Sequence, residues 1–144
     1  MFSKACEYGI RATIYIAMQS LEGNRVNLKE IAAAIDSPVA FTAKILQQLV
    51  KNNIVESVKG AQGGFQIERS RIDSIKLNQV VFAIDGDKIF KGCALGLSEC
   101  DESLPCPVHF KFKEIRDKLE QMTKETGIYE LATGLELGST FLKR

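Results

Sequence analysis

The sequence predicts a mainly α-helical protein with a small β-hairpin wing: a winged helix-turn-helix followed by a long C-terminal dimerisation helix. Two short helical segments are separated by a tight turn, a glycine-rich hairpin follows them, and an apolar seam recurs near the C-terminus. Helix, helix and hairpin in this order are typical of a winged helix. We therefore divide the chain into a winged-helix domain over 1–86, a cysteine-containing loop over 87–106, and a dimerisation helix with its tail over 107–144.

The composition is that of one globular unit with little net charge. Among 144 residues, 45% are hydrophobic and 26% charged, which excludes a disordered chain and allows a single core. Residues 1–76 hold 10 Lys/Arg and 7 Asp/Glu, whereas residues 77–144 hold 9 and 11. The first half is therefore the more basic half. The N-terminus lacks the apolar region of a signal peptide, and no run reaches the length of a membrane span. We expect a cytoplasmic protein with no membrane partner, whose cysteines stay reduced.

Two helices are predicted at the start of the chain. Apolar residues at i, i+4 spacing predict a buried helix over residues 3–20, which ends near Gly23. Asn27, with Glu30 three positions later, is close to a capping box and begins a short helix over 27–36.

A third helix, over residues 38–51, carries the surface best suited to nucleic acid. Ser37 is expected to be its N-cap and Pro38 its first helical residue. No acidic residue lies between Ser37 and Asn53, so this surface can approach phosphates without repulsion. The candidate DNA contacts on this helix are Phe41, Thr42, Lys44, Gln47 and Lys51. Lysine and glutamine can read base edges, and lysine can also bind phosphate. An ordinary helical hairpin with a polar face is the alternative.

A β-hairpin is predicted directly after the third helix. Residues 54–58 and 65–67 alternate apolar and polar side chains, which indicates two short strands. The turn between them, KGAQGG, is rich in glycine, so its backbone can approach a sugar–phosphate chain closely. The candidate DNA contacts in this wing are Lys59, Gly60 and Gln62. The hairpin makes double-stranded DNA the expected partner.

The longest helix is predicted over residues 107–126. Its apolar residues recur at steps of four and three, and they are Val108, Phe112, Ile115, Leu119 and Met122. This coiled-coil-type seam favours a homodimer, because helix-turn-helix proteins usually read two half-sites. Packing of the seam within its own domain is the alternative. A last short helix is predicted over 128–133, with a loose end from Gly134.

The loop over residues 87–106, which follows a short predicted helix over 77–85, has no hydrophobic period. The candidate metal ligands in and after this loop are Cys93, Cys100, Cys106 and His109, spaced C-x6-C-x5-C-x2-H. Three thiolates and an imidazole can hold a soft metal centre. The wide spacing favours an iron–sulfur cluster over zinc, which prefers tight C-x2–4-C pairs. A thiol switch and burial of the cysteines as small apolar residues are the alternatives.

Two other residues, and one pair already named, bear on this site. Cys6 is expected in the core of the first helix, whereas its neighbour Glu7 is an oxygen ligand if that helix abuts the loop of a partner subunit. Cys106 with His109 is the only candidate pair of thiol and base, and no pattern of a substrate pocket accompanies it. We therefore expect no enzyme and no small-molecule substrate.

Four motifs together resemble the Rrf-type winged-helix transcription regulators. SKACEYGIRA, KGAQGGFQI, IKLNQVVFAIDG and C-x6-C-x5-C-x2-H follow one another in the order seen in that family, over about residues 1–133. The resemblance implies a DNA-binding homodimer built on the long helix, with the recognition helix in the major groove and the wing in the minor groove.

For the iron–sulfur members of this family, the resemblance also implies a ligand set. Cys93, Cys100 and Cys106 match the three cluster-binding cysteines, with a first gap of six residues where the best-known members have five. The fourth ligand matches His109 in the IscR type and the partner subunit's Glu7 in the NsrR type. Members of the CymR type lack the cysteine triad, which argues against that subgroup.

The preferred interpretation is a sequence-specific repressor whose DNA affinity is controlled by an iron–sulfur cluster sensing redox, iron or nitric oxide status. A [2Fe–2S] cluster is expected in preference to [4Fe–4S]. The alternatives are a zinc-stabilised or thiol-switch regulator without a cluster, and a cluster carrier that does not bind DNA.

Overall fold

A computed structural model describes all residues, 1–144, and contains eight helices and two strands. In chain order they are α1 (Lys4–Leu21), α2 (Leu28–Ala34), α3 (Val39–Lys51), β1 (Glu56–Val58), β2 (Gly64–Gln66), α4 (Arg69–Ile72), α5 (Leu77–Asp85), α6 (Lys88–Lys91), α7 (His109–Glu125) and α8 (Ile128–Glu136). This order confirms the mainly α fold with a hairpin wing. No helix has the length and hydrophobicity that crossing a membrane requires.

Helix α1 lies at the centre of the molecule and contacts α3, α5 and α8. At its N-terminus, the Ser3 hydroxyl accepts a hydrogen bond from the Cys6 amide, and the Ser3 amide donates to Asp85 Oδ2 at 3.0 Å. At its C-terminus, Ser20 Oγ accepts from the Ile67 amide at 2.9 Å. Both ends of α1 are therefore fastened to later parts of the chain.

The predicted capping box of α2 is confirmed, because Asn27 Oδ1 accepts from the Glu30 amide at 2.9 Å and Glu30 Oε2 accepts from the Asn27 amide at 2.7 Å. The predicted cap of α3 is wrong. Pro38, rather than Ser37, is the N-cap, and no side chain caps the helix. The Ser37 hydroxyl instead lies 2.9 Å from Thr42 Oγ1, so it bonds inside the turn between the two helices.

The wing is an antiparallel hairpin in which Ser57 lies opposite Phe65. The loop between α1 and α2 extends this sheet by one bridge, since the Val26 amide donates to the Phe65 carbonyl at 3.1 Å and the Phe65 amide donates to Val26 at 2.8 Å. The hairpin is thus joined to the helical domain and does not project freely.

Two features of the C-terminal half differ from the prediction. Helix α6 lies inside the predicted loop, and its Phe90 is buried beside Cys6 and Val81. Helix α8 continues past Gly134 to Glu136, where a loose end was expected, because Ile128 and Ala132 are fully buried against the core. A helix of four residues is too short to display a hydrophobic period, which explains why α4 and α6 were not predicted.

The core that holds α3 in place gives a first prediction. Leu49 is fully buried in the main cluster, so Leu49→Ala should lower the free energy of unfolding by about 2–5 kcal/mol. Chemical denaturation followed by circular dichroism measures the change. Its neighbour Gln48 is exposed on the same helix, and Gln48→Ala should stay within about 0.5 kcal/mol of the parent. Equal losses for the two variants would contradict this core assignment.

Candidate DNA-binding face and cysteine site

Helix α3 presents a basic, acid-free surface to solvent. Its side chains Lys44, Gln47 and Lys51 are all exposed, while Ile45 and Leu49 anchor its opposite face in the core. No carboxylate lies on this helix, so these side chains can meet an anionic partner without local repulsion. The three side chains are therefore accessible to a partner from solvent.

Two residues predicted to contact DNA lie elsewhere. Thr42 is fully buried, and its hydroxyl donates to the Pro38 carbonyl at 2.9 Å, so we correct its predicted place in the groove. Phe41 is half-buried, with its ring 5.6 Å from the Tyr8 ring in an edge-on contact. Both side chains pack α3 onto the domain. Both residues were predicted to contact DNA because they lie in the first turns of α3, where the hydrophobic pattern does not show which side chains face the core.

The tip of the wing is exposed at Lys59, Gly60 and Gln62, as its predicted role requires. Behind the tip the backbone is tightly packed. A Cβ atom on Gly63 would lie 2.1 Å from the Val58 carbonyl oxygen, and one on Gly64 would lie 2.7 Å from the Val26 oxygen at a φ of +134°. Only glycine fits these two positions.

Arg25 is an exposed cation beside the wing that the sequence analysis missed. Its Nε donates to Gln66 Oε1 at 2.8 Å, and its Nη1 donates to the Gln62 carbonyl at 3.2 Å. These bonds hold the guanidinium against the hairpin. The position could be found only from the Val26–Phe65 bridge, which pairs residues far apart in sequence.

The three loop cysteines are free thiols of intermediate exposure. Backbone N–H groups of Leu97 and Leu95 hold the pKa of the Cys93 thiol below its ordinary value, and the neighbouring Cys106 thiol acts in the same direction. Cys93 and Cys106 therefore form one pair.

Cys100 forms a second pair with His109. Its sulfur lies 3.4 Å from His109 Nδ1, and the imidazole is 4% exposed with no hydrogen-bond partner at Nε2. The guanidinium of Arg116 also reaches this sulfur, with Nη1 and Nη2 each 3.3 Å away. No three side chains of Cys, His, Asp and Glu converge on one point, so the four predicted ligands are arranged as two pairs.

The two residues of α1 considered for this site have separate environments. Cys6 is fully buried, as expected, and burial together with the Asp85 carboxylate raises the pKa of its thiol to about 12. Glu7 is partly exposed and forms an ion pair with Lys4 at 3.1 Å.

The family assignment rests on nearly the whole chain. Residues 2–134 match the family Rrf2, described as iron-dependent transcriptional regulators. The chain belongs to the Rrf2 family. A relative from Aquifex aeolicus, which carries the name HTH-type transcriptional regulator, is 30% identical over 133 residues, covering 91% of this chain and 90% of its own length. IscR of Photorhabdus laumondii is 25% identical over 130 residues, covering 90% of this chain and 77% of its own length.

Solved structures share the Rrf2 fold. CymR, the global cysteine regulator of B. subtilis, aligns with a TM-score of 0.74 at 22% identity, over 92% of this chain and 96% of its own. IscR of T. potens aligns with a TM-score of 0.73 at 18% identity, over 97% of this chain and 91% of its own. Rrf2 proteins are DNA-binding transcriptional regulators rather than enzymes, which confirms that expectation.

The seam on α7 is only partly covered within the Rrf2 chain. Helix α7 packs on α5 and α6 through a neighbouring face that includes buried His109 and Thr123. Phe112, Ile115 and Met122 keep 42%, 56% and 43% of their surface exposed. Packing within its own domain therefore leaves three of the five apolar side chains of the seam largely exposed to solvent.

The donor set of the cysteine site fits an iron–sulfur cluster. The free loop thiols include Cys93, whose pKa is lowered, and cysteines bind metals as thiolates. The buried imidazole of His109 has one nitrogen without a hydrogen-bond partner, and an imidazole replaces cysteine in some clusters. In this Rrf2 chain the cysteines would hold the cluster, with His109 as the nearest fourth donor.

Proposed function

We propose that the protein is an Rrf2 repressor whose affinity for operator DNA depends on an iron–sulfur cluster held by Cys93, Cys100, Cys106 and His109. The observation that carries this proposal is the contact of the Cys100 sulfur with His109 and Arg116 of α7, the helix that also bears the exposed seam. A cluster of the [2Fe–2S] type suits a set of three thiolates and one imidazole. When bound, the cluster supplies iron–ligand bonds that oxidants, iron depletion or nitric oxide can break.

The geometry supports His109 as the fourth ligand. Its Nδ1 already faces the Cys100 sulfur at 3.4 Å, whereas Glu7 is engaged by Lys4 on α1. A role for the partner subunit's Glu7 would require α1 of one chain to approach the loop of the other.

DNA recognition is assigned to α3, the wing and the adjacent loop. Lys44 and Gln47 are placed to read base edges in the major groove, and Lys51, Lys59 and Arg25 to bind phosphates. Gly60 and Gln62 at the wing tip would approach the sugar–phosphate backbone. Two copies joined along the α7 seam would present two such surfaces to the two halves of an operator.

The link between the two functions is mechanical. The Cys100 thiol contacts His109 and Arg116 of α7, so binding or loss of the cluster favours one packing of this helix over another. A ligand shifts such an equilibrium only by its different affinity for the two arrangements. The cluster must therefore bind better to the dimer whose recognition helices match the operator spacing, or to the dimer whose helices do not.

A thiol switch is the second candidate function, and it is favoured because Cys106 lies near enough to Cys93 to lower the pKa of its thiol. The two thiols could form a disulfide by losing two electrons and two protons to peroxide, which is reduced to water. This switch would act on the same loop without any metal.

Purification without oxygen tests the proposal. The wild type should be coloured and contain iron and acid-labile sulfide, and Cys100→Ser should lose both. Cys6→Ala, which alters the cysteine outside the loop, should keep the colour. Operator binding of the wild type should change when the cluster is removed, and that of Cys100→Ser should not respond.

The alternative outcome is a wild type that contains no metal and forms a Cys93–Cys106 disulfide when treated with peroxide, as mapped by mass spectrometry. That outcome would favour the thiol switch over the cluster. Weak binding without a salt dependence would overturn the DNA assignment, because phosphate contacts release counterions.

A further inference from the structure

We propose that Arg116 is a positioning residue of the cysteine site: it fastens Cys100 and the Gly92 carbonyl to α7 and places a positive charge beside the Cys100 sulfur. This inference rests on the proposed function, because it takes the iron–sulfur cluster to be the group that the cysteine site binds.

Three hydrogen bonds from one side chain define this contact. Arg116 Nη1 and Nη2 each lie 3.3 Å from Cys100 Sγ, and Nη1 also donates to the Gly92 carbonyl. Gly92 directly precedes Cys93, so the guanidinium holds the segment that begins before the first cysteine and ends at the second. The guanidinium therefore acts as a clamp on residues 92–100, the half of the loop that is more distant from α7 in sequence.

An arginine is the side chain suited to this geometry. Its planar fork directs several N–H groups at once, whereas a lysine would present one compact ammonium. The Nε of Arg116 is buried without a partner, so this end of the guanidinium is removed from water. A cation in such a place is stabilised best by an anionic partner, and a sulfur that ligates iron as a thiolate is one.

The clamp lies between the loop and the seam. Arg116 follows Ile115 of the seam, and both residues line a cavity of about 260 Å³ that the loop also lines. Its lining includes Gly92, Cys93, Phe112, Ile115, Arg116 and Leu119. A displacement of Cys100 would therefore be transmitted to the middle of α7 through the guanidinium.

Two measurable properties follow. In the cluster-free protein, the amides of residues 92–100 should be protected from hydrogen exchange by the clamp. In the loaded protein, the charge and the N–H···S bonds should raise the reduction potential of the cluster, because both stabilise the more negative reduced state.

The experiment compares Arg116→Gln, Arg116→Lys and the control Lys113→Gln. Lys113 lies on the same helix and bonds only Asp117, at 3.0 Å. Hydrogen exchange of cluster-free protein, read by mass spectrometry over residues 92–100, should be at least about tenfold faster in Arg116→Gln, because the loss of one of its three hydrogen bonds alone would give a change of about this size. Lys113→Gln should match the wild type.

The lysine variant separates the two roles of Arg116. It keeps the charge but loses the fork, so its exchange should stay fast while its cluster potential stays near that of the wild type. The potential of Arg116→Gln should shift to more negative values. If the glutamine variant does not fold, the lysine variant alone tests the clamp by exchange.

Unchanged exchange in the folded Arg116 variants would overturn the clamp, and an unchanged potential in Arg116→Gln would overturn the electrostatic role. A wild type that takes up no cluster would refute the proposed function instead, and the exchange comparison would still decide whether Arg116 holds the loop.

Discussion

Replacing Ile115 by glutamate should convert the protein to a monomer and weaken operator binding by about a hundredfold or more. Ile115 lies at the centre of the α7 seam and keeps 56% of its surface exposed in the single chain. In a dimer this side chain would be buried against its counterpart, where a carboxylate would be desolvated without a partner. The loss of one half-site then removes about half of the base contacts and phosphate contacts.

Sedimentation velocity and fluorescence anisotropy with operator DNA at fixed salt measure these two effects. Gln121→Glu is the matched control, because it adds the same charge on the exposed side of α7 away from the seam. It should remain a dimer and bind DNA with nearly parental affinity. A dimeric Ile115→Glu protein, or a parent that is monomeric at micromolar concentration, would disprove the assignment of the seam.

The second large effect is expected at Gly63. An alanine there would bring its Cβ to 2.1 Å from the Val58 carbonyl oxygen and 2.9 Å from the Gly60 oxygen. Both neighbours are backbone atoms, so the hairpin itself must deform. Gly63→Ala should lower the free energy of unfolding by about 2–3 kcal/mol, within the range for overpacking that forces the backbone to shift. It should also weaken DNA binding, because the wing tip is displaced.

Gly134→Ala provides the opposite result within the same protein. Gly134 lies in α8, and a Cβ there would find its nearest neighbours at 3.5 Å, an ordinary contact. Removing a glycine from a helix should therefore raise the free energy of unfolding by about 0.5–1 kcal/mol. Denaturation curves of the two variants give the comparison. A loss of stability in Gly134→Ala, or none in Gly63→Ala, would contradict this account of the two glycines.

The sequence predicted those helix ends that are determined by interactions between residues close together in the chain. Asn27 with Glu30 forms a reciprocal cap that needs no partner outside four residues, and the helix over 77–85 ends at Gly86 as its pattern indicates. The four-residue helices α4 and α6 are held by the burial of Ile72 and Phe90 rather than by any repeat. Their pattern carries no local signal of helix.

The sequence predicted which residues could form the candidate site, but it did not predict which of their side chains are in contact. The cysteine spacing indicated which residues share a loop, but it does not determine which sulfur meets His109. The contacts of Arg116 with Cys100 and of Arg25 with Gln66 join residues 16 and 41 positions apart. The same limit explains Thr42, whose burial depends on how α3 is rotated against the domain.

The fastening of both ends of α1 has a consequence for how a signal would travel. Eighteen helical residues span about 27 Å as one stiff rod. One end of the rod is tied through Ser3 to Asp85, immediately before the segment that leads into the cysteine loop, and the other is tied through Ser20 to Ile67 at the base of the wing. A small tilt of α1 imposed at the Ser3–Asp85 contact would therefore displace the wing tip at the opposite end of the helix.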